Sequence, residues 1–236
     1  SILLALAVDF VKHNYPQYEL QTYASMFLIA GVSGLIGAFL LYKTPEPQSH
    51  LHHENIFKLF QKPLRNVNFR KLLAFNSAWV FAVNLATPFF TVFLLKSMGL
   101  KLSYIIGLTI VSQVFSILTV RVWGHYGDRY SNKTVIAILA PIYVLCLIGW
   151  CFVGIYSQFY ANLILLIVIH IFTGISNGGI TLSLTNIGLK LAPREESIVY
   201  LSVKNIVTAL FSSVAPLVGG ILADYFTSRS LNINIT

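Results

Sequence analysis

Charged residues are scarce in this chain: they make up 10% of its 236 residues, whereas a soluble domain carries about 25%. Hydrophobic residues make up 56%, and the mean hydropathy is +0.74. Apolar runs of about 20 residues can satisfy their backbone in lipid only as helices or closed barrels, and the runs here are continuous rather than alternating. We therefore predict an all-α, polytopic integral membrane helix bundle.

Patterns of catalytic or cofactor-binding residues are also missing. The sequence has no P-loop, no Ser-His-Asp order, no metal pair and no nucleotide fingerprint, so we expect no enzyme, no ATP-driven transport and no cofactor. Cys146 and Cys151 lie in one predicted helix, where they are most simply small apolar fillers. The stretch SHLHHE at residues 49–54 matches no closed ligand spacing, so no metal site is predicted there.

The long apolar runs predict the membrane spans. Ser1 to about Phe10 resembles the tail of a helix and the first residue is not methionine, so we expect the chain to be a fragment of a longer protein. Residues 43–71 are polar and predict a loop that could hold a short surface helix. The complete spans are predicted at Tyr23–Tyr42, Leu72–Leu95, Leu102–Trp123, Thr134–Tyr156, Tyr160–Leu184 and Tyr200–Leu222.

Basic residues orient these spans, because lysine and arginine accumulate in short cytoplasmic loops. Twelve of the 16 lie on one predicted side, and four lie on the other: Lys12, Lys96, Lys101 and Arg229. The 43–71 loop is therefore predicted to be cytoplasmic, in a plasma or inner membrane. The net charge of +8 is explained by topology and by anionic lipid headgroups, and no nucleic acid is needed.

The decapeptide GHYGDRYSNK, at residues 124–133, stands between two predicted spans. Its glycines would allow two helices to meet at a tight turn, and Asp128 could accept hydrogen bonds from a nearby helix N-terminus. Ser131 or Asn132 is placed to cap the helix that follows. A generic basic hairpin would explain Arg129 and Lys133, but it would not explain the pairing of glycine and aspartate at this spacing.

The decapeptide resembles the signature loop of the major facilitator superfamily, G-x-L-(A/G)-D-R-x-G-R-K. The chain departs from that pattern at Tyr126, Ser131 and Asn132, which replace leucine, glycine and arginine. A weaker copy of this loop joins the eighth and ninth helices in the family. The resemblance implies that the matching residues form a conformational latch on the cytoplasmic face: Gly124, Gly127, Asp128, Arg129 and Lys133.

This resemblance also implies a place for each span in a twelve-helix fold. Residues 1–42 would be part of helix five and helix six of the amino-terminal bundle, 43–71 the linker between the halves, and 72–236 helices seven to eleven. The implied function is secondary active transport of a small solute by alternating access. The substrate is not identified and could be a sugar, a drug, a metabolite or another small molecule. The alternative is a non-transporting scaffold or sensor of the same fold.

Polar side chains inside the spans are candidates for a substrate path, because polar groups in hydrocarbon tend to face a bundle interior or a wet cavity. Asn76 and Asn84 share a helix face to within about 80°. Asn177 precedes two glycines, where a helix can bend. For each amide the alternative is an interhelical hydrogen bond that holds the bundle together. The candidates are Asn76, Trp79, Asn84, Gln113, His170, Asn177 and Asn205.

Acidic residues are absent from the interior of every complete span, although the chain has eight of them. Proton coupling usually needs a titratable group in the path, and here only His170 qualifies. If the protein is proton-coupled, we expect the carboxylate in the missing amino-terminal half. Lys204 is expected to extend to the cytoplasmic surface rather than to bind substrate. The expected partners are a small-molecule substrate, the lipid bilayer and that missing half. Whether transport is also coupled to a proton or another ion is left open.

Overall fold

The computed structural model describes residue 8 and residues 10–44, 56–155 and 158–228. Within this part every regular element is helical, and residues 10–14 are also helical. Short 3₁₀ turns at Pro16–Tyr18 and Arg194–Glu196 precede the first and last long helices. The helices are α1 (Glu19–Tyr42), α2 (Ile56–Arg65), α3 (Val67–Lys96), α4 (Leu102–Arg129), α5 (Asn132–Trp150), α6 (Phe159–Leu191) and α7 (Ser197–Ser228).

Six of these helices are long and apolar enough to cross a membrane: α1 and α3 to α7. This confirms the predicted all-α membrane architecture. The polar segment that precedes α3 contains the short helix α2, and the cytoplasmic placement of that segment stays a prediction. The histidine-containing stretch at 49–54, for which no metal site was predicted, lies outside the described residues, as does most of the predicted span that begins at Ser1.

Several helix boundaries differ from the sequence prediction, and two of the differences have a local cause in capping or in a glycine. Helix α3 begins at Val67 rather than Leu72, because Asn66 caps it by accepting hydrogen bonds from the backbone N–H groups of Asn68 and Phe69 at 3.0 and 3.1 Å. Helix α5 ends at Trp150 rather than Tyr156. Gly154 follows in a left-handed conformation, with φ of 91°, and its N–H donates to Asn162 Oδ1 at 2.9 Å.

The chain divides into two compact units. The first contains the described part of residues 1–54 together with Leu100–Gly107, and the second contains residues 55–99 and 108–236. Helix α1 lies in the first unit. None of its 24 residues is buried, and its apolar residues are distributed all round the helix.

A hydrophobic core holds the second unit together. Phe69 and Leu72 of α3 pack in one cluster with Leu139 of α5, Ile180 of α6 and Tyr200 of α7. The Phe69 ring meets the Tyr200 ring edge-on, with centroids 4.7 Å apart. Four helices therefore share one core near the ends at which α3, α5 and α7 begin.

Small residues bring α6 against α4. A Cβ atom added at Gly174 would overlap the backbone carbonyl oxygen of Ser112, and one at Gly178 would lie 2.5 Å from Ser116 Oγ. Membrane helices associate through such close backbone packing, since lipid is as apolar as their side chains. At Gly174 the obstructing atoms are backbone, so a larger residue requires a shift of the neighbouring helix, whereas at Gly178 the closest atom belongs to the side chain of Ser116.

Candidate functional site

The decapeptide forms the end of α4, a short turn and the start of α5. Helix α4 continues through Arg129, and only Tyr130 and Ser131 lie outside the two helices. The backbone N–H of Tyr130 still bonds to the carbonyl of Tyr126 at 2.9 Å, so the last helical turn is complete. The predicted ten-residue connection is therefore mostly helical, and its turn is two residues long.

Ser131 is the residue that caps α5. Its Oγ accepts a hydrogen bond from the backbone N–H of Lys133 at 3.2 Å. Of the two predicted capping residues, Ser131 fills the role and Asn132 becomes the first residue of the helix. A serine cap is typically worth about 1 kcal/mol. It fixes the angle at which α5 leaves the turn.

Asn132 instead connects the turn to α6. Its side chain is 4% exposed, and its Oδ1 accepts a 3.5 Å hydrogen bond from Asn186 Nδ2. Gly127 of α4 packs directly beside it, because a Cβ atom there would lie 2.7 Å from Asn132 Oδ1. Asn132 stands where the signature pattern has arginine. A neutral buried amide therefore lies between α4, α5 and α6 in place of a charged side chain.

The charged residues of the signature are exposed. The Arg129 guanidinium lies 5.5 Å from the centroid of the Tyr130 ring, a cation–π contact worth at most about 1 kcal/mol at such a site. Asp128 is exposed, and its carboxylate has no hydrogen bond or ion pair within the described part of the chain. The expected bond to a helix N-terminus is therefore not formed here, and the latch role stays a prediction.

Among the substrate-path candidates, Asn76 makes the clearest contact between helices. It is 5% exposed, and its Nδ2 donates to Thr208 Oγ1 of α7 at 2.6 Å. This is the interhelical hydrogen bond that the sequence left open as the alternative. Thr208 itself was missed, because nothing in the sequence connects two polar residues that are 132 positions apart.

Trp79 lies one turn further along α3 and is part of an aromatic group. Its ring stacks on Phe75 at 6.4 Å and meets Tyr143 of α5 edge-on at 5.3 Å. Phe75 and Trp79 therefore form a pair of stacked rings on α3. Since Trp79 also packs against the core, it contributes to the packing of α3 on α5 as well as offering a stacking surface.

Asn84 and His170 bond to their own helices. The Asn84 side chain donates to the carbonyl of Val80 at 2.9 Å, and His170 Nδ1 lies 2.8 Å from the carbonyl oxygen of Leu166. A carbonyl only accepts, so this bond requires the proton on Nδ1 and leaves Nε2 able to accept when the ring is neutral. The ring of His170 also meets Trp150 of α5 at 5.9 Å.

Gln113, Asn177 and Asn205 are exposed on the surfaces of α4, α6 and α7. Among the described residues, no hydrogen bond joins any of the three to another candidate. Helix α6 is continuous through Asn177 and the two glycines that follow it, so it does not unwind there. Gly178 instead packs against Ser116 of α4, and Gly179 packs against Leu139 of α5 and Trp123 of α4.

Lys204 of α7 is buried, contrary to the expectation that it extends to the surface. Its side chain is 9% exposed, and its Nζ donates to Thr185 Oγ1 of α6 at 3.4 Å. It has no carboxylate partner within the described residues. Lys204 precedes Thr208 by one helical turn, so these two residues face α6 and α3 from neighbouring positions on α7.

The described residues contain no group of three or more histidine, cysteine, aspartate or glutamate side chains that could hold a metal. Within the same residues Cys146 is buried, Cys151 is exposed, and both are free thiols. The contacts described above between α3, α6 and α7 use amides, hydroxyls and the Lys204 ammonium, and a separate ion pair joins Lys62 of α2 to Glu196 at 2.8 Å. These groups can bind or orient a solute through hydrogen bonds and charge.

A comparison with protein families agrees with this arrangement of helices and turn. The family model described as Major Facilitator Superfamily matches residues 17–216, which is most of the chain. The chain belongs to the major facilitator superfamily. It is therefore a multi-pass membrane protein of a superfamily of transporters. A search of curated proteins and a search of solved structures each found no match.

Proposed function

We propose that this superfamily member is a secondary active transporter that moves a small solute by alternating access, with α3, α6 and α7 bordering the solute path. In the twelve-helix fold of the family, two bundles rock about a site near the middle of the membrane. On this proposal residues 72–236 belong to the second bundle, 43–71 to a cytoplasmic linker, and 1–42 to the end of the first bundle. Transport then takes place across a plasma or inner membrane.

The hydrogen bonds that α7 makes to α3 and α6 support the proposed path most directly. Thr208 bonds to Asn76 of α3, and Lys204 bonds to Thr185 of α6, in helices whose residues are mostly apolar. Polar and charged side chains in membrane helices are costly and usually mark substrate or ion pathways. A lysine that is nine-tenths buried and has no carboxylate partner among the described residues is difficult to explain as packing alone.

Flux across a sealed vesicle tests the proposal. The full chain is reconstituted in liposomes and offered radiolabelled hexoses, amino acids, nucleosides, organic cations and carboxylates, one class at a time. We expect protein-dependent, saturable uptake of one class, and faster uptake when the same unlabelled solute is inside the vesicle. Such exchange is the signature of a carrier with one alternating site.

The scaffold or sensor alternative predicts a different result. Correctly inserted protein would then show no flux of any class above empty liposomes, even if one of the solutes changed its thermal stability. That outcome would contradict the transport proposal. Orientation in the liposomes is checked by labelling the exposed Cys151 from outside with a membrane-impermeant maleimide.

A further inference from the structure

The second unit contains a cavity of about 420 Å³ where α3 and α5 begin and α6 ends. Its wall is apolar and includes Leu72 of α3, Ile136 of α5 and Leu184 of α6, all three of them buried. Its volume falls within the range of roughly 300–1,000 Å³ that small-molecule sites have. The cavity is separate from the Asn76–Thr208 and Lys204–Thr185 contacts, since none of those four residues lines it.

Two lysines line the same cavity. Lys71 comes from α3 and Lys133 from α5, and both are exposed. Within the described residues neither lysine has an ion-pair partner, and no carboxylate lines the cavity. Lys133 is the second residue of α5, where the partial positive charge of the helix N-terminus adds to its own charge, and Lys71 is the fifth residue of α3. The cavity therefore combines an apolar wall with two uncompensated positive charges.

We propose that this cavity binds an anionic phospholipid from the membrane leaflet at this end of the helices. The first part of one acyl chain would lie against the apolar wall, and the phosphate of the headgroup would lie between Lys71 and Lys133. A soluble phosphate compound would leave the apolar wall unused. A neutral lipid would leave the two lysines unpaired. Basic pockets between membrane helices are suited to acidic headgroups for the same electrostatic reason.

The binding test uses the purified full chain in detergent with either phosphatidylglycerol or phosphatidylcholine, and native mass spectrometry measures the bound lipid. We expect a preference for phosphatidylglycerol. The double substitution Lys71→Gln with Lys133→Gln should reduce that preference by roughly fivefold for each lysine. The matched control is Lys96→Gln with Lys101→Gln, which removes the same charge from two exposed lysines outside the cavity lining and should leave the preference unchanged.

A second pair of variants tests the apolar wall. Ile187→Trp places a large ring at a half-buried lining position of α6, whereas Ile164→Trp makes the same change at an exposed position of that helix. We expect only Ile187→Trp to weaken phosphatidylglycerol binding. Equal binding of both lipids, an unchanged preference in the double lysine variant, or full binding in Ile187→Trp would each overturn the proposal. The last result would mean that the lysines hold a headgroup at the surface and the cavity holds no chain.

Discussion

Helices α1 and α6 have almost the same mean hydropathy over their most apolar windows, at 2.1 and 2.0, yet they pack very differently. None of the residues of α1 is buried, whereas α6 has ten buried residues. Both helices contain glycines about one turn apart. A Cβ atom at Gly34 of α1 would meet nothing within 4 Å, whereas one at Gly174 of α6 would overlap Ser112. Hydropathy therefore predicts that a helix enters the membrane, and the neighbouring backbone decides whether its glycines are needed for packing.

The largest expected effect is the loss of that close contact. Gly174→Ala should lower the free energy of unfolding by roughly 3 kcal/mol, because a backbone carbonyl cannot move aside as a flexible side chain can. Gly34→Ala is the matched control and should cause no loss, since alanine favours a helix by up to about 1 kcal/mol. Unfolding in detergent, followed by circular dichroism, measures both. If the two variants were equally stable, the contrast between α1 and α6 would be wrong.

A smaller effect is expected at the turn, where the obstructing atom belongs to a side chain. Gly127→Ala places a Cβ atom close to Asn132 Oδ1 and should cost about 1–2 kcal/mol of unfolding free energy. In the background of Asn132→Ala the same substitution should cost much less, because the obstructing amide is gone. A double-mutant cycle measures this coupling. Additive costs for the two substitutions would show that Gly127 is constrained by something other than Asn132.

The exposed carboxylate of the signature should affect rate and leave stability unchanged. Asp128→Asn should slow transport several-fold at equal membrane abundance if Asp128 latches the cytoplasmic face, and its exposure predicts a stability change within about 0.5 kcal/mol. Asp224→Asn removes an exposed carboxylate of α7 outside the signature and serves as the control. Initial uptake rates, normalised to inserted protein, measure the difference. Equal rates in both variants would remove the latch role.

Features that depend on local composition, such as helix location and helix capping, were predicted from the sequence. The six membrane helices followed from long apolar runs, and the Ser131 cap followed from a short polar residue ahead of such a run. The extension of α4 through the signature was missed because glycine, aspartate and arginine together indicate a loop. Their backbone groups nevertheless complete a helical turn, since the bond from Tyr130 to Tyr126 is local.

Contacts between distant segments could not be predicted in the same way. The burial of Lys204 depends on Thr185 of another helix, and the partner of Asn76 is Thr208, far along the chain. Lys204 is the eighth residue of α7, which begins at Ser197. Its side chain could reach the membrane surface from there, so the sequence did not predict that it is buried. Only the packing of α6 on α7 decides between these two arrangements.

The measurement that tests the proposed path most directly compares transport with stability in Thr208→Val. This nearly isosteric change removes the hydroxyl that accepts from Asn76, and such an interhelical bond is worth about 0.6 kcal/mol on average. Ser213→Ala is the control, because that exposed hydroxyl bonds to Ala209 of its own helix and to no other described residue. We predict that Thr208→Val lowers solute flux at least tenfold while stability changes by less than about 1 kcal/mol. A flux that falls only in proportion to the amount of folded protein would mean that Asn76 and Thr208 hold the bundle together and do not border the path.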